Sequence, residues 1–236
     1  MERRLASLSA FLGHMHLVRH MVLDQTAHYR PDDPGRRDAY RLWWDMVLPA
    51  LSRLPIRSLS AGEGAVSALV DAPIGTVPLR HLKLLPMCHS DREHWRGALS
   101  VLTRHQQSLE RLVVDAFCSA PIAEGGGEPW SVASLFGPVG GLPALTALTL
   151  CCPLTTAIAK SVAAACPALE SLTLKQDIYG EHDEGVLGCW KYPEALPRLS
   201  SLHVRSGCSF ASLNDDTGFS RLMRGRRLRQ LTVGEE

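Results

Sequence analysis

The stretch Leu145-Thr-Ala-Leu148-Thr-Leu150 decides how this chain is read, because it returns as Leu169-Glu-Ser-Leu172-Thr-Leu174. The same spacing stands at Leu79-Arg-His-Leu82-Lys-Leu84, Leu109-Glu-Arg-Leu112-Val-Val114, Leu199-Ser-Ser-Leu202-His-Val204 and Leu228-Arg-Gln-Leu231-Thr-Val233. Two looser copies precede these, Val18-Arg-His-Met21-Val-Leu23 and Ile56-Arg-Ser-Leu59-Ser-Ala61. Side chains alternate across a strand, so the last two aliphatic residues of each copy share one face. The first aliphatic residue turns in from the preceding corner. One copy alone would leave its apolar face wet, whereas copies stacked side by side bury it. The series therefore predicts parallel strands aligned in one ladder.

This pattern resembles the leucine-rich-repeat family over nearly the whole chain. Most steps between copies run from 23 to 30 residues. With the turns Leu142-Pro143-Ala144-Leu145, Cys166-Pro167-Ala168-Leu169 and Leu196-Pro197-Arg198-Leu199, they are similar to the ribonuclease-inhibitor-like type. The resemblance implies an α/β solenoid, a horseshoe with an inner parallel β-sheet, outer helices and about 7–8 irregular repeats. It implies one domain over 1–236, with 1–17 as a capping helix and 18–236 as repeats. Steps of 36 and 38 residues mark insertions, and Gly125-Gly126-Gly127 and Arg30-Pro-Asp-Asp-Pro-Gly35 supply loops.

The segments between copies carry helical spacing. Ser90-Asp91 caps a helix to about Gln107 with Trp95, Leu99 and Leu102 on one face. The Ala-rich run from Leu154 to Ala165 has no interior Gly or Pro. Arg37 to Arg53 reads as helix with Leu42, Trp43, Met46 and Val47 inward, and Pro49 bends or ends it. Met1 to Gly13 and a short helix capped by Asp216, carrying Phe219, Leu222 and Met223, complete the set. No cap follows Val233, so an apolar edge at Leu228, Leu231 and Val233 is expected, exposed or hidden by self-association.

Composition narrows the function. The chain has 236 residues, 45% hydrophobic and 21% charged, with a net charge of +1. That balance gives no general field for nucleic acid or an acidic membrane, and no apolar run is long enough to span a bilayer. Seven cysteines spread thinly fit free thiols in a reducing compartment, so cytoplasmic or nuclear residence is expected. No Cys-x-x-Cys accompanies the loose cluster His14, His16, His20 and His28, so no metal is expected. Cys151-Cys152, Cys88, Cys118 and Cys208 read as buried turn thiols. Gly62-Glu-Gly64 lacks the Gly-Lys-Ser/Thr ending of a phosphate loop, and no Gly-x-Ser-x-Gly elbow occurs. The basic cluster from Arg221 to Arg229 reads as a solvated helix end. These readings predict no catalysis and no cofactor.

What remains is the face between the aliphatic positions. Strands about 4.8 Å apart make a wall of roughly 35 Å, the scale of a protein partner. The candidate partner-binding residues are His81, Lys83, Arg111, Asp115, Thr149, Thr173, Lys175, His203, Arg205 and Gln230. Small Ser, Thr and Ala hold the middle, while His, Lys and Arg flank it. The lead-in Phe11-Leu12-Gly13-His14 and the irregular repeats are similar to the repeat region of fungal F-box-like proteins. That resemblance implies substrate recognition for a ubiquitin ligase. The residues before Val18 are fewer than an F-box occupies, and a standalone scaffold or inhibitor-type binder is the alternative.

Overall fold

The computed structural model describes residues 18–23, 44–45, 47–49, 51–62, 65–66, 69, 74–85, 92–115, 135–136, 140–151, 156–176, 196–206 and 228–234. Eight strands form one sheet: β1 (His20–Leu23), β2 (Ser58–Ala61), β3 (His81–Leu84), β4 (Arg111–Asp115), β5 (Ala147–Cys151), β6 (Ser171–Gln176), β7 (Ser201–Ser206) and β8 (Gln230–Gly234). Each pairs in parallel with its neighbours in sequence, so spatial order and chain order coincide. A parallel pair cannot be joined by a tight hairpin and needs a long crossover. Helix α1 (Arg92–His105) lies in the crossover from β3 to β4, and α2 (Thr156–Ala165) in that from β5 to β6.

The register puts the quoted aliphatic residues into rows. Met21, Leu59, Leu82, Leu112, Leu148, Leu172, Leu202 and Leu231 are successive backbone partners. Two residues on, Leu23, Ala61, Leu84, Val114, Leu150, Leu174, Val204 and Val233 make a second row. From Leu59 to Leu202 the first row is buried throughout. The opening leucines Leu79, Leu109, Leu145, Leu169 and Leu199 are buried beside them. Each fully buried leucine contributes on the order of 1.5–3 kcal/mol, so these rows are the main source of the sheet's stability.

One hydrogen-bond motif fixes where each strand from β2 to β8 starts. The Arg19 carbonyl accepts from the N–H groups of both Arg57 and Ser58, and the Arg57 carbonyl from those of Arg80 and His81. The same sharing recurs at Arg80, Glu110, Thr146, Glu170 and Ser200, at 2.7–3.1 Å throughout. Ahead of three strands a proline turn closes the corner. Leu145 N–H donates to Leu142 O, Leu169 to Cys166 O and Leu199 to Leu196 O, with Pro143, Pro167 and Pro197 second in each turn. Proline's fixed φ suits that position.

The helices pack as their spacing requires, with adjustments. On α1, Trp95, Ala98, Val101 and Leu102 are buried and Leu99 is half-buried. Gly97, also on α1, passes so near Val66 that a Cβ would stand 2.1 Å from its carbonyl oxygen. On α2, Ile158, Val162 and Ala165 face the core, and Leu154 lies outside the described residues. Before β2 the backbone is helical at 44–45, 47–49 and 51. Trp44, Val47 and Leu51 are its buried residues, and the described backbone is helical at both Pro49 and Leu51. The inward stripe thus includes Trp44, while Leu42, Trp43 and Met46 lie outside the described residues. So do the expected helices at Met1 to Gly13 and after Asp216. At the last strand Leu228 packs half-buried on the core, and the side chains of Leu231 and Val233 are not among those described.

His105 ties the end of α1 to the start of β3. Its Nδ1 accepts from the Leu79 N–H at 3.3 Å, so the ring is neutral with its proton on the buried Nε2. Burial, and secondarily the charge of Arg104, hold its pKa below the ordinary histidine value. The unfolded chain therefore takes up this proton first as pH falls. The stability contributed by neutral His105 is complete above about pH 6.5 and drains as pH drops through the depressed folded value. Denaturant midpoints are expected to fall between pH 7.5 and 5.5 in the wild type. His105→Gln, whose side-chain oxygen still accepts the bond, is expected to flatten that slope; an unchanged slope would exclude this role.

Candidate functional site

Alternation sends the other half of each strand to the opposite side of the sheet. In register order the first row there is His20, Ser58, His81, Arg111, Ala147, Ser171, Ser201 and Gln230. The second is Val22, Ser60, Lys83, Val113, Thr149, Thr173, His203 and Thr232. Every described side chain in these rows is exposed or half-buried. One face of the sheet is thus sealed by apolar packing and the other is open and mostly polar.

The candidate residues fall on this open face as an array. Lys83, Arg111 and Gln230 are exposed; His81, Asp115, Thr149, Thr173, Lys175 and His203 are half-buried. Thr149 and Thr173 are direct partners, as are Thr173 and His203. Arg205 pairs with Lys175 through the backbone, and Asp115 with Cys151. On β7, Ser201 Oγ and His203 Nε2 are 2.9 Å apart, which orients both groups along the strand. The His81 pKa is lowered by burial first and then by Arg111, with His20 and Arg80 adding and Glu110 opposing. His81 is therefore a mostly neutral imidazole set among cations at neutral pH.

A row of charges at the strand starts was not singled out from sequence. Arg80 Nη1 bonds Glu110 Oε1 at 3.0 Å, and Arg198 Nη2 lies 3.6 Å from Glu170 Oε1. Arg80, Glu110 and Glu170 all occupy the second position of their copies, so reading that position down the series would have exposed the row. These pairs are about half exposed, and exposed pairs contribute about 0–1 kcal/mol each. Their consequence is to neutralise both acids at the rim.

Among the described residues other candidate chemistry does not assemble. Cys166 is fully buried and its thiol pKa is pushed up to about 12, so it packs as a small apolar residue. Cys151 is half-buried at the end of β5. Cys88, Cys118, Cys152 and Cys208 lie outside the described residues, as do His14, His16 and His28. Among the described residues no three His, Cys, Asp or Glu side chains converge as metal ligands. Nor is any described helix long and apolar enough to cross a membrane.

Comparison with protein-family models gives no match, and comparison with the curated proteins gives none either.

Proposed function

We propose that this chain is a non-catalytic protein-interaction module, a leucine-rich-repeat solenoid of the ribonuclease-inhibitor-like type whose open sheet face receives a protein partner. The observation that supports this reading is the open face itself. All-parallel sheets ordinarily have both faces covered, because their crossovers lay helices on each side. Here one face carries mostly Ser, Thr, His, Lys and Arg across eight strands, interrupted by Val22, Val113 and Ala147. Such a wall is wide, which suits a macromolecular surface better than a small ligand. Within this reading, the chain serves as the substrate-recognition repeats of an F-box-like ubiquitin-ligase receptor or as a standalone binder.

Affinity capture tests both levels. The wild type is expected to retain a partner that Thr149→Trp, a bulky block at the centre of the face, loses at least tenfold. Solvent-facing changes ordinarily alter stability by under about 0.5 kcal/mol, so an unchanged melting curve separates lost binding from lost fold. A partner held equally by both chains would reject the face as the docking surface. Recovery of a ligase adaptor with the wild type selects the receptor role, and its absence selects the standalone binder.

A further inference from the structure

The charges on the open face are not mixed as they are in the chain. Over 236 residues, 25 Lys and Arg balance 24 Asp and Glu. On this face the described side chains include Lys83, Arg111 and Lys175 as permanent cations. Among the described residues of the face one carboxylate stands against them, Asp115, which already has an interaction of its own. The neighbouring acids at the strand starts, Glu110 and Glu170, are paired with the rim arginines Arg80 and Arg198. Lys83, Arg111 and Lys175 make no ion pair among the described residues. Over the described residues the face therefore keeps a positive field that its own acids do not cancel.

We infer that the occupant of this face is an acidic protein segment, its carboxylates engaging Lys83 and Arg111 on one side and Lys175 on the other. This rests on the proposed docking role of the face and specifies its partner. Lys175 on β6 stands three strand spacings from Lys83 on β3, roughly 14 Å, and two residues farther along the strand, about 7 Å, so the two are roughly 16 Å apart. Between the cationic sides lie Val113, Ala147, Thr149 and Thr173, small enough to let a backbone approach. An extended segment covers that distance with acidic residues about five positions apart, at about 3.4 Å per residue. Arg111 offers a planar fork matched to a carboxylate, and Lys83 a compact charge beside it. Nucleic acid fits less well, since no Phe, Tyr or Trp stands among the described residues of the face to stack a base.

Fluorescence anisotropy with a labelled Glu-rich peptide, spaced as above, tests the inference on the full chain. The wild type is expected to bind it, more weakly as salt rises. The Gln-substituted peptide and the double variant Lys83→Glu/Arg111→Glu should each weaken binding at least tenfold. Lys83→Gln/Arg111→Gln should give an intermediate loss with an unchanged melting curve. No binding of the Glu-rich peptide, equal binding of its Gln counterpart, or tighter binding of a single-stranded oligonucleotide would each overturn the acidic partner. Those outcomes leave the docking role to the Thr149→Trp capture, so the two ideas fail separately.

Discussion

Gly97→Ala is expected to destabilise the protein, against the ordinary rule for helices. In an exposed helix interior, alanine in place of glycine gains about 1 kcal/mol. Gly97 lies inside α1, yet an added Cβ would meet Val66 O at 2.1 Å and its carbonyl carbon at 2.7 Å. Those are backbone atoms, so no side-chain rotation relieves the clash. Either α1 lifts from the segment at Ala65 and Val66, or that segment moves, and Trp95 and Ala98 flanking the contact lose packing with it. Overpacking of this kind costs about 1–3 kcal/mol or more, which outweighs the propensity gain. At about 2–4 °C per kcal/mol for a chain of this size, a melting temperature lower by several degrees follows. Arg96→Ala, exposed on the same turn, is expected to change little, and a stabilised Gly97→Ala would show the close approach to be absent.

A larger loss is expected at the centre of the leucine rows. Leu148 is 1% exposed and stands between Leu112 and Leu172. Truncation to alanine removes its transfer free energy and leaves a cavity that rigid strands on both sides cannot close. The expected cost is about 2–5 kcal/mol, read as a lower denaturant midpoint at constant slope. Met21 occupies the same row on edge strand β1, is only half-buried and has one neighbour in the row. Met21→Ala should therefore cost less than half as much. Equal losses at the two positions would contradict a row whose burial grows toward its centre.

These contrasts show what a sequence of this kind makes legible. Strand position and register were readable because the aliphatic spacing is dictated by the two-residue alternation, and even the loose copies at Val18 and Ile56 pair in step with the rest. Once register was known, the polar rows followed, which is why His81, Lys83, Arg111, Thr149 and Thr173 fall side by side. Helix faces were less legible. Before β2 the expected stripe left out Trp44, which is buried, because an apolar residue one position along a helix satisfies a stripe equally well when read alone. Contacts between distant segments were not legible at all. Neither the approach of Gly97 to Val66 nor the bond from Leu79 to His105 has any periodic trace, because each depends on how one crossover settles against another.

The shared carbonyl at each strand start has an evolutionary corollary. Each rung takes its height from the backbone of the rung before it, so the stretch of chain linking them need not be any particular length. Connectors here differ by more than ten residues while the rungs stay level. Such an architecture can gain, lose or remodel its connecting segments while the sheet keeps its pitch, which lets new edges be tried without disturbing the rows of the open face.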